Sequence, residues 1–598
     1  MPLTRRLLAT CLLCLAGTGG LATAARAAEP TMPLEQVKKG MKCTAKSVVS
    51  GVDIATFDVE ILDVVAGDTA ARAPFILFRA SGPAVDATGI GPGFSGSPIS
   101  CPDATGVMRV AGAISEGIGD YGNQTALATP IELILGEPVD PPAETRIAPA
   151  LVRSARPLAT PLSLGGLSAP VADALRTAAR RAGRVVYAAP AAPVGAAFPV
   201  QQLQGGSAMA VGLASGDVTA GAIGTVAYVD GDKVWSFGHP LDGAGRRSLF
   251  LQDAYVYAVI DNPVGAPDLT TYKFAAPGHD LGTLTNDAAS AVVGRLGALP
   301  ARFPMKITGT DLDTGRVNVS NTLIADEAAL GLPTGASALT QVGALAISEV
   351  AYDLLHGVPL RQSGSMCVRI GVFGLPKPMR FCNTYHGGTL GTGGGAALAN
   401  DFSAATGQLD AFNFGPVRIT GVQVDIKLRR SLRQAYMLKL TAPRTVRRGR
   451  TVKVRVLAQR VNGPTLTRTI SVRIPEGTPL GARRLQLTGT ASDGGGSLAD
   501  SLTGILDLGS LFGEDPGAAD GGTGPRSLKA LAKKVAGIHR YDGVSASLPP
   551  LGADPAAEDP SAAAPGGPGG GAGKARETYR DPELRLSGLV RTTVRVTR

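Results

Sequence analysis

Apolar residues in this chain recur mostly at every second position and in short runs. Phe57–Leu62, Phe75–Phe78 and Val107–Ile114 each read as a β-strand, and from residue 207 to about 310 short strands alternate with glycine turns. Further on, Val417–Val424, Thr451–Val456 and Thr469–Ile474 set valine or isoleucine against charged neighbours. That is the pattern of a two-layer β-sandwich with one wet face. Gly588–Val596 is a last strand candidate. Helical spacing shows in Val171–Ala182 and Leu528–Val535, and His356 sits in an apolar helix-like run. The pattern predicts a mainly β protein with few short helices.

Composition supports this. The 79 glycines and 43 prolines, with few aromatics, suit many turns and short strands better than long helices. At about 100–200 residues per domain, the 598-residue chain has room for three or four. Its 44% hydrophobic content fills packed cores and argues against a mainly disordered chain. Residues 137–165 are rich in Pro, Ala and Arg and read as a linker. The glycine run 387–395 reads as a hinge and the Pro/Gly/Ala-rich stretch 551–575 as disordered. No internal sequence repeat is visible.

The N-terminus carries a targeting pattern. Arg5 and Arg6 precede an apolar run from Leu7 to Leu15, and small residues lead to Ala25-Arg26-Ala27. The run is too short to span a bilayer, so it reads as a signal peptide cleaved near Ala27, and the chain as secreted or envelope-associated. Cys11 and Cys14 leave with that segment. The four that remain, Cys43, Cys101, Cys367 and Cys382, suit two disulfides in an oxidising compartment. Of the three possible pairings, proximity favours Cys367–Cys382, which leaves Cys43–Cys101. No cysteine/histidine cluster with metal-ligand spacing occurs in the mature chain, so neither a metal nor a cofactor is expected.

The net charge of +10 is uneven. No acidic residue lies between Asp425 and Glu476, while arginines and lysines recur there from Arg429 to Arg455. The stretch 426–475 is either a solvated β-domain face or a patch for an anionic envelope polymer or lipid head groups. Nucleic acid does not suit an exported chain.

The residues with most chemical promise are Gly93-Phe94-Ser95-Gly96-Ser97-Pro98-Ile99. A serine hydroxyl needs a base for its proton and donors for the oxyanion. Glycines let the backbone turn so that two N–H groups, those of Gly93 and Ser95, point at one spot. The alternative is a glycine-rich turn with no chemistry. The base should be one of five histidines. His239 follows a hairpin in Trp235–Pro240; His279, His356, His386 and His539 read most simply as surface or packing residues.

Several separated segments carry a resemblance. Gly89–Ile99 resembles the nucleophile loop of the sporulation stage IV factor B family of serine peptidases. Lys39–Leu62 resembles the strands upstream of that loop, Gly221–Pro240 the histidine segment, and Gly282–Asp287 with Val293–Leu296 the stretch that follows it. Together these cover about half the chain. The resemblance implies a trypsin-like double-barrel core, with Ser95 as nucleophile and His239 as general base, acting on a protein or peptide substrate or on the chain itself. Phe94 stands where the family has methionine. In that family the histidine segment comes first; here Ser95 precedes His239 by 144 positions. The family's aspartate precedes its serine, and the corresponding positions here hold Arg79, Ala80 and Ser81. Asp86, Asp217, Asp232 and Asp253 are the candidates for that third role, each with a structural alternative. No PDZ module, a common companion of these peptidases, is evident, and the β-sandwich stands in its place as a binding or presenting unit.

The chain thus divides into a signal peptide (1–27), a serine-bearing half-core (28–140), a linker with a short helix (141–200) and a histidine-bearing half-core (201–345). A disulfide loop with glycine hinge (346–400), a β-sandwich (401–500) and a tail of helix, disordered linker and terminal strand (501–598) follow. Two functions fit: an exported serine endopeptidase, or a catalytically inactive envelope protein that keeps the peptidase fold for binding or assembly.

Overall fold

A computed structural model of the chain describes residues 28–65, 74–117, 124–139, 162–181, 186–188, 198–261, 271–330, 337–357, 359, 361–387, 394–489, 499, 503, 524–538, 540–551 and 576–598. The signal segment, most of the glycine run, all but the first residue of the 551–575 stretch and His539 lie outside the described residues.

The protein is mainly β, and its core is a pair of barrels. In the first, β1 (Lys42–Val48), β2 (Ile54–Val65), β3 (Phe75–Ser81), β4 (Pro98–Pro102), β5 (Met108–Gly117) and β6 (Thr125–Pro130) close in the order β1-β2-β3-β6-β5-β4. Period-two alternation does the work: Phe57, Val59 and Ile61 of β2 fill the interior while Asp58 and Glu60 face away. Cys43 and Cys101 form a disulfide across β1 and β4, where the barrel closes. A short helix, α1 (Ile131–Gly136), leaves β6 directly.

Residues 140–161, 182–185 and 189–197 lie outside the described set, but most of the described part of the expected linker is helix or strand. β7 (Leu162–Gly165), α2 (Ala169–Arg181) and β8 (Val186–Ala188) follow. β7 pairs with a strand of the second barrel, and β8 runs parallel to β7. Leu164, Val171 and Leu175 are buried. An apolar face that size must be covered, and composition alone could not show it.

The second barrel uses β9 (Ala208–Gly216), β10 (Thr219–Asp230), β11 (Lys233–Ser236), β12 (Gly245–Ile260), β13 (Tyr272–Asp287) and β14 (Val292–Leu296). β9 pairs with both β10 and β12, so the ring β9-β10-β11-β14-β13-β12 is closed. Counted from one to six within each barrel, both rings read 1-2-3-6-5-4. Sequence shows no repeat, yet topology repeats. The serine loop, 82–97, and the histidine loop, 237–244, each join the third and fourth strands of their barrel.

The second barrel's sheet continues through β16 (Val317–Ala325) into β15 (Arg302–Asp311), β19 (Ile419–Arg429), β17 (Gln362–Val372) and β18 (Met379–Gly387), with β19 parallel to β15. α3 (Ala338–Leu355) and α4 (Gly394–Asp410) pack on it in the largest apolar cluster. The described residues of 346–400 are therefore mostly helix and strand, and most of the expected glycine hinge lies outside them. They hold the end of α3, the β17–β18 hairpin clamped by Cys367–Cys382 at directly opposed positions, and the start of α4. β19, expected in the sandwich, lies in this middle sheet, with Val422, Val424, Ile426 and Leu428 buried. Alternation identifies a strand but not the sheet it joins.

The last unit comprises β20 (Gln434–Thr441), β21 (Thr445–Arg447), β22 (Thr451–Arg460), β23 (Thr465–Arg473), β24 (Gly481–Gly489), β25 (Gly543–Ser547), β26 (Arg576–Arg580) and β27 (Arg585–Thr597). β27 pairs with β20, β21 and β24, so it joins the two halves of one sheet. That sheet folds over a core including Val456, Ile470, Leu487 and Val594. The terminal strand is thus integral to the sandwich. α5 (Leu528–Ala536) docks instead on the middle core through Leu531 and Val535.

Candidate functional site

The serine loop is pinned between the barrels by its own backbone. Thr225 of β10 donates its N–H to the Ser95 carbonyl (2.8 Å), and Lys273 of β13 donates its N–H to the Pro92 carbonyl (3.0 Å). Gly96 N–H donates to Ile114 O (2.7 Å) of the serine loop's own barrel. Gly96 has φ +94°, and a Cβ there would lie 1.9 Å from the Thr225 carbonyl and 2.6 Å from the Phe237 nitrogen. Only glycine permits this approach, which brings the serine loop against the histidine loop.

Within residues 93–97, three N–H groups are used. Phe94 donates to Gly91 O, Gly96 to Ile114 O and Ser97 to Phe94 O. Among the described residues the N–H groups of Gly93 and Ser95 have no hydrogen-bond partner. Their direction follows from peptide planarity. No cis peptide occurs among the described residues, so each N–H points opposite to the carbonyl of the preceding residue. The Pro92 carbonyl is held by Lys273 and the Phe94 carbonyl by Ser97, so both N–H groups turn away from these anchors. Ser95 is half-buried, and no described residue hydrogen-bonds its hydroxyl.

His239 is presented by a strained turn. Phe237 has φ +66°, rare for a side-chain-bearing residue, and Gly238 donates its N–H back to Ser236 O (2.8 Å). This is a γ-turn of the less favoured hand. The Phe237 ring fits over Gly224, where a Cβ would come within 1.9 Å of it. Thr129 of the first barrel donates its hydroxyl to the Gly238 carbonyl (2.6 Å). His239 is buried, with Nδ1 2.7 Å from the Pro240 carbonyl. A carbonyl only accepts, so this bond assigns the proton to Nδ1 and leaves Nε2 as an acceptor. Burial pushes the imidazole pKa down to about 4, so the ring is neutral at neutral pH. No hydrogen bond joins Ser95 to His239.

None of the four candidate aspartates bonds to His239. Asp86 accepts from Gly82 N–H of its own loop and from Gln124 Nε2 just before β6, and Asp217 accepts from Asn321 N–H. Asp232 pairs with Arg295 at the surface. Buried Asp253 accepts from Gln201 N–H and from the backbone and Nδ1 of His279. The carboxylate that shapes the histidine loop is Asp287, which accepts from the N–H groups of Leu241 (2.7 Å), Asp242 (2.8 Å) and Ala244 (3.2 Å). It is fully buried at the end of β13; burial and nearby Asp242 raise its pKa. Arg247, paired bidentately with Glu327, closes the same loop. Asp287 ends the segment Gly282–Asp287, whose resemblance implies no role for that residue.

A second residue missed from sequence is Lys273, buried beneath the serine loop with no carboxylate hydrogen-bonded to it among the described residues. Its Nζ donates to Ser47 Oγ (2.7 Å) and Thr225 Oγ1 (3.0 Å) and lies 4.6 Å from the centre of the Phe94 ring. Burial pushes its pKa down to about 7. Elsewhere, Lys439, Lys453, Arg455 and Arg473 are exposed on the sandwich, interleaved with Thr441, Thr467, Thr469 and Ser471. Among the described residues no group of three or more metal-ligating side chains occurs.

No family model, curated protein or solved structure matches the chain.

Proposed function

We propose that the protein is an exported serine endopeptidase or self-processing peptidase, with Ser95 as nucleophile and His239 as base. The observation that carries this is the pair of unpartnered N–H groups on Gly93 and Ser95 flanking a half-buried serine, packed against a neutral histidine loop. Ser95 Oγ attacks the substrate carbonyl while Nε2 of His239 takes its proton. The tetrahedral oxyanion accepts from the two N–H groups. The amine leaves with the proton returned by His239, and water then hydrolyses the acyl-enzyme by the same shuttle. The Pro240 carbonyl, not a carboxylate, fixes the ring's tautomer in this reading. The two disulfides fit an oxidising compartment, which agrees with the proposed export. The exposed cations of the sandwich are the proposed contact with an anionic envelope polymer or lipid surface.

The test is an active-site fluorophosphonate on the disulfide-bonded protein. Labelling should be stoichiometric, lost in Ser95→Ala and strongly slowed in His239→Ala. A folded protein that takes no label would leave the non-catalytic binding or assembly role. The absent carboxylate on Nδ1 favours that second reading.

A further inference from the structure

The peptidase chemistry assigns no step to Lys273, yet the residue touches the serine loop at every turn. Its backbone N–H holds the Pro92 carbonyl. Its stem lies directly beneath Gly93, where a Cβ would come within 2.8 Å of Lys273 Cβ. Its head lies over the Phe94 ring. Thr225 spends its single hydroxyl proton on the Gly93 carbonyl (2.9 Å), so it must accept from Lys273. Ser47, the other acceptor, is 2.7 Å from Ser97 Oγ. One amine therefore reaches residues 93, 94 and 97 directly or through one hydroxyl.

Ser47, Ser97 and Lys273 are all fully buried, so this chain of hydroxyls presents no nucleophile to a substrate. A buried amine is also costly where a residue has only to fill space, because an apolar side chain fills it without desolvation. The amine's polar contacts converge on the loop that carries the two unpartnered N–H groups. We propose that Lys273 is a positioning residue that fixes the direction of the Gly93 and Ser95 N–H groups by bracing the serine loop from below. This rests on the peptidase reading of Ser95 for its catalytic consequence, but the bracing itself does not.

Two variants test it: Lys273→Met, which keeps the stem and removes the amine, and Thr225→Val, which keeps the shape and cuts the link to Gly93. Amide hydrogen exchange of the peptide spanning residues 89–97 should speed up at least tenfold in both, with β20–β23 unchanged. Fluorophosphonate labelling should lose about tenfold or more in the maximal rate, with the half-saturating concentration within twofold of wild type. The double variant should be no slower than the worse single one, because the two residues act as one unit. Unchanged exchange in the loop overturns the proposal whatever the labelling does. Faster exchange with unchanged labelling overturns the positioning role. Faster exchange in the variants, with a wild type that never labels, overturns the peptidase reading and leaves the brace standing. If Lys273→Met fails to fold, Thr225→Val decides alone by the same criteria.

Discussion

Replacing Lys273 with methionine should change how the protein's stability depends on pH. Burial lowers the amine's pKa from its ordinary 10.5 to about 7, and the groups facing it, Ser47, Thr225 and the Phe94 ring, carry no charge that would offset this. Between those two values the unfolded chain holds a proton that the folded chain does not. Stability therefore rises with pH across this window and is lost as pH falls towards 7. Integrating one such group from pH 7 to pH 9 gives roughly 2 kcal/mol, since each pH unit of full difference is worth about 1.4 kcal/mol. Trp235 is the single tryptophan and is buried in the second barrel, so its fluorescence reports unfolding of that barrel. Urea midpoints at pH 7, 8 and 9 should climb in the wild type relative to Lys273→Met. At a slope near 2 kcal/mol per molar, the relative climb is about 1 M. Parallel midpoints across that range would show that the amine does not titrate between its folded and unfolded values, and would refute the reasoning.

Three further outcomes follow from the site and the barrels. With the His239 pKa at about 4, fluorophosphonate labelling should stay on its plateau down to about pH 5 and show an acid limb centred near 4; a limb at the ordinary imidazole value near 6.5 would contradict the burial described. Asp287→Ala leaves three N–H groups of the histidine loop without their acceptor, at about 1–3 kcal/mol each, and should slow labelling about a hundredfold, whereas unchanged labelling would mean the loop holds its shape without the carboxylate. Replacing both Cys43 and Cys101 with serine opens a loop with a sequence separation of 58. This should cost about 4 kcal/mol by chain entropy, measured as a loss in unfolding free energy with the Cys367–Cys382 bond intact.

The strands were legible because period-two patterning is a local property. Phe57, Val59 and Ile61 declare an inward face without reference to anything else in the chain. The partner of a strand is not local, which is why β19 was expected in the sandwich and lies beside β15. The glycines of the serine loop were legible as a turn, but not as an approach of two barrels. Gly96 faces Thr225 and Phe237, more than a hundred positions away. Lys273 gave no signal at all. A single lysine in a strand ordinarily marks a solvent face, and only the loop folded over it makes it a core residue.

The shared ring order of the barrels explains why the order of serine and histidine along the chain carries little weight. Both loops join strands three and four of a 1-2-3-6-5-4 ring, so exchanging the order of the two halves leaves the loops equivalent in topology. The same symmetry says where to look for a carboxylate. Arg79, Ala80 and Ser81 lie on β3 of the serine barrel, far in sequence from anything that shapes His239. The fifth strand of the histidine barrel ends at Asp287, and that side chain reaches the histidine loop. Asp287 binds the backbone beyond the histidine and leaves Nδ1 to the Pro240 carbonyl. That arrangement orients the ring without placing a charge on it, so under the proposed peptidase function the burden of transition-state stabilisation would fall more on the Gly93 and Ser95 N–H groups. A fluorophosphonate, which presents a tetrahedral oxyanion to those groups, should for that reason lose more rate from disturbing the serine loop than from disturbing the histidine tautomer.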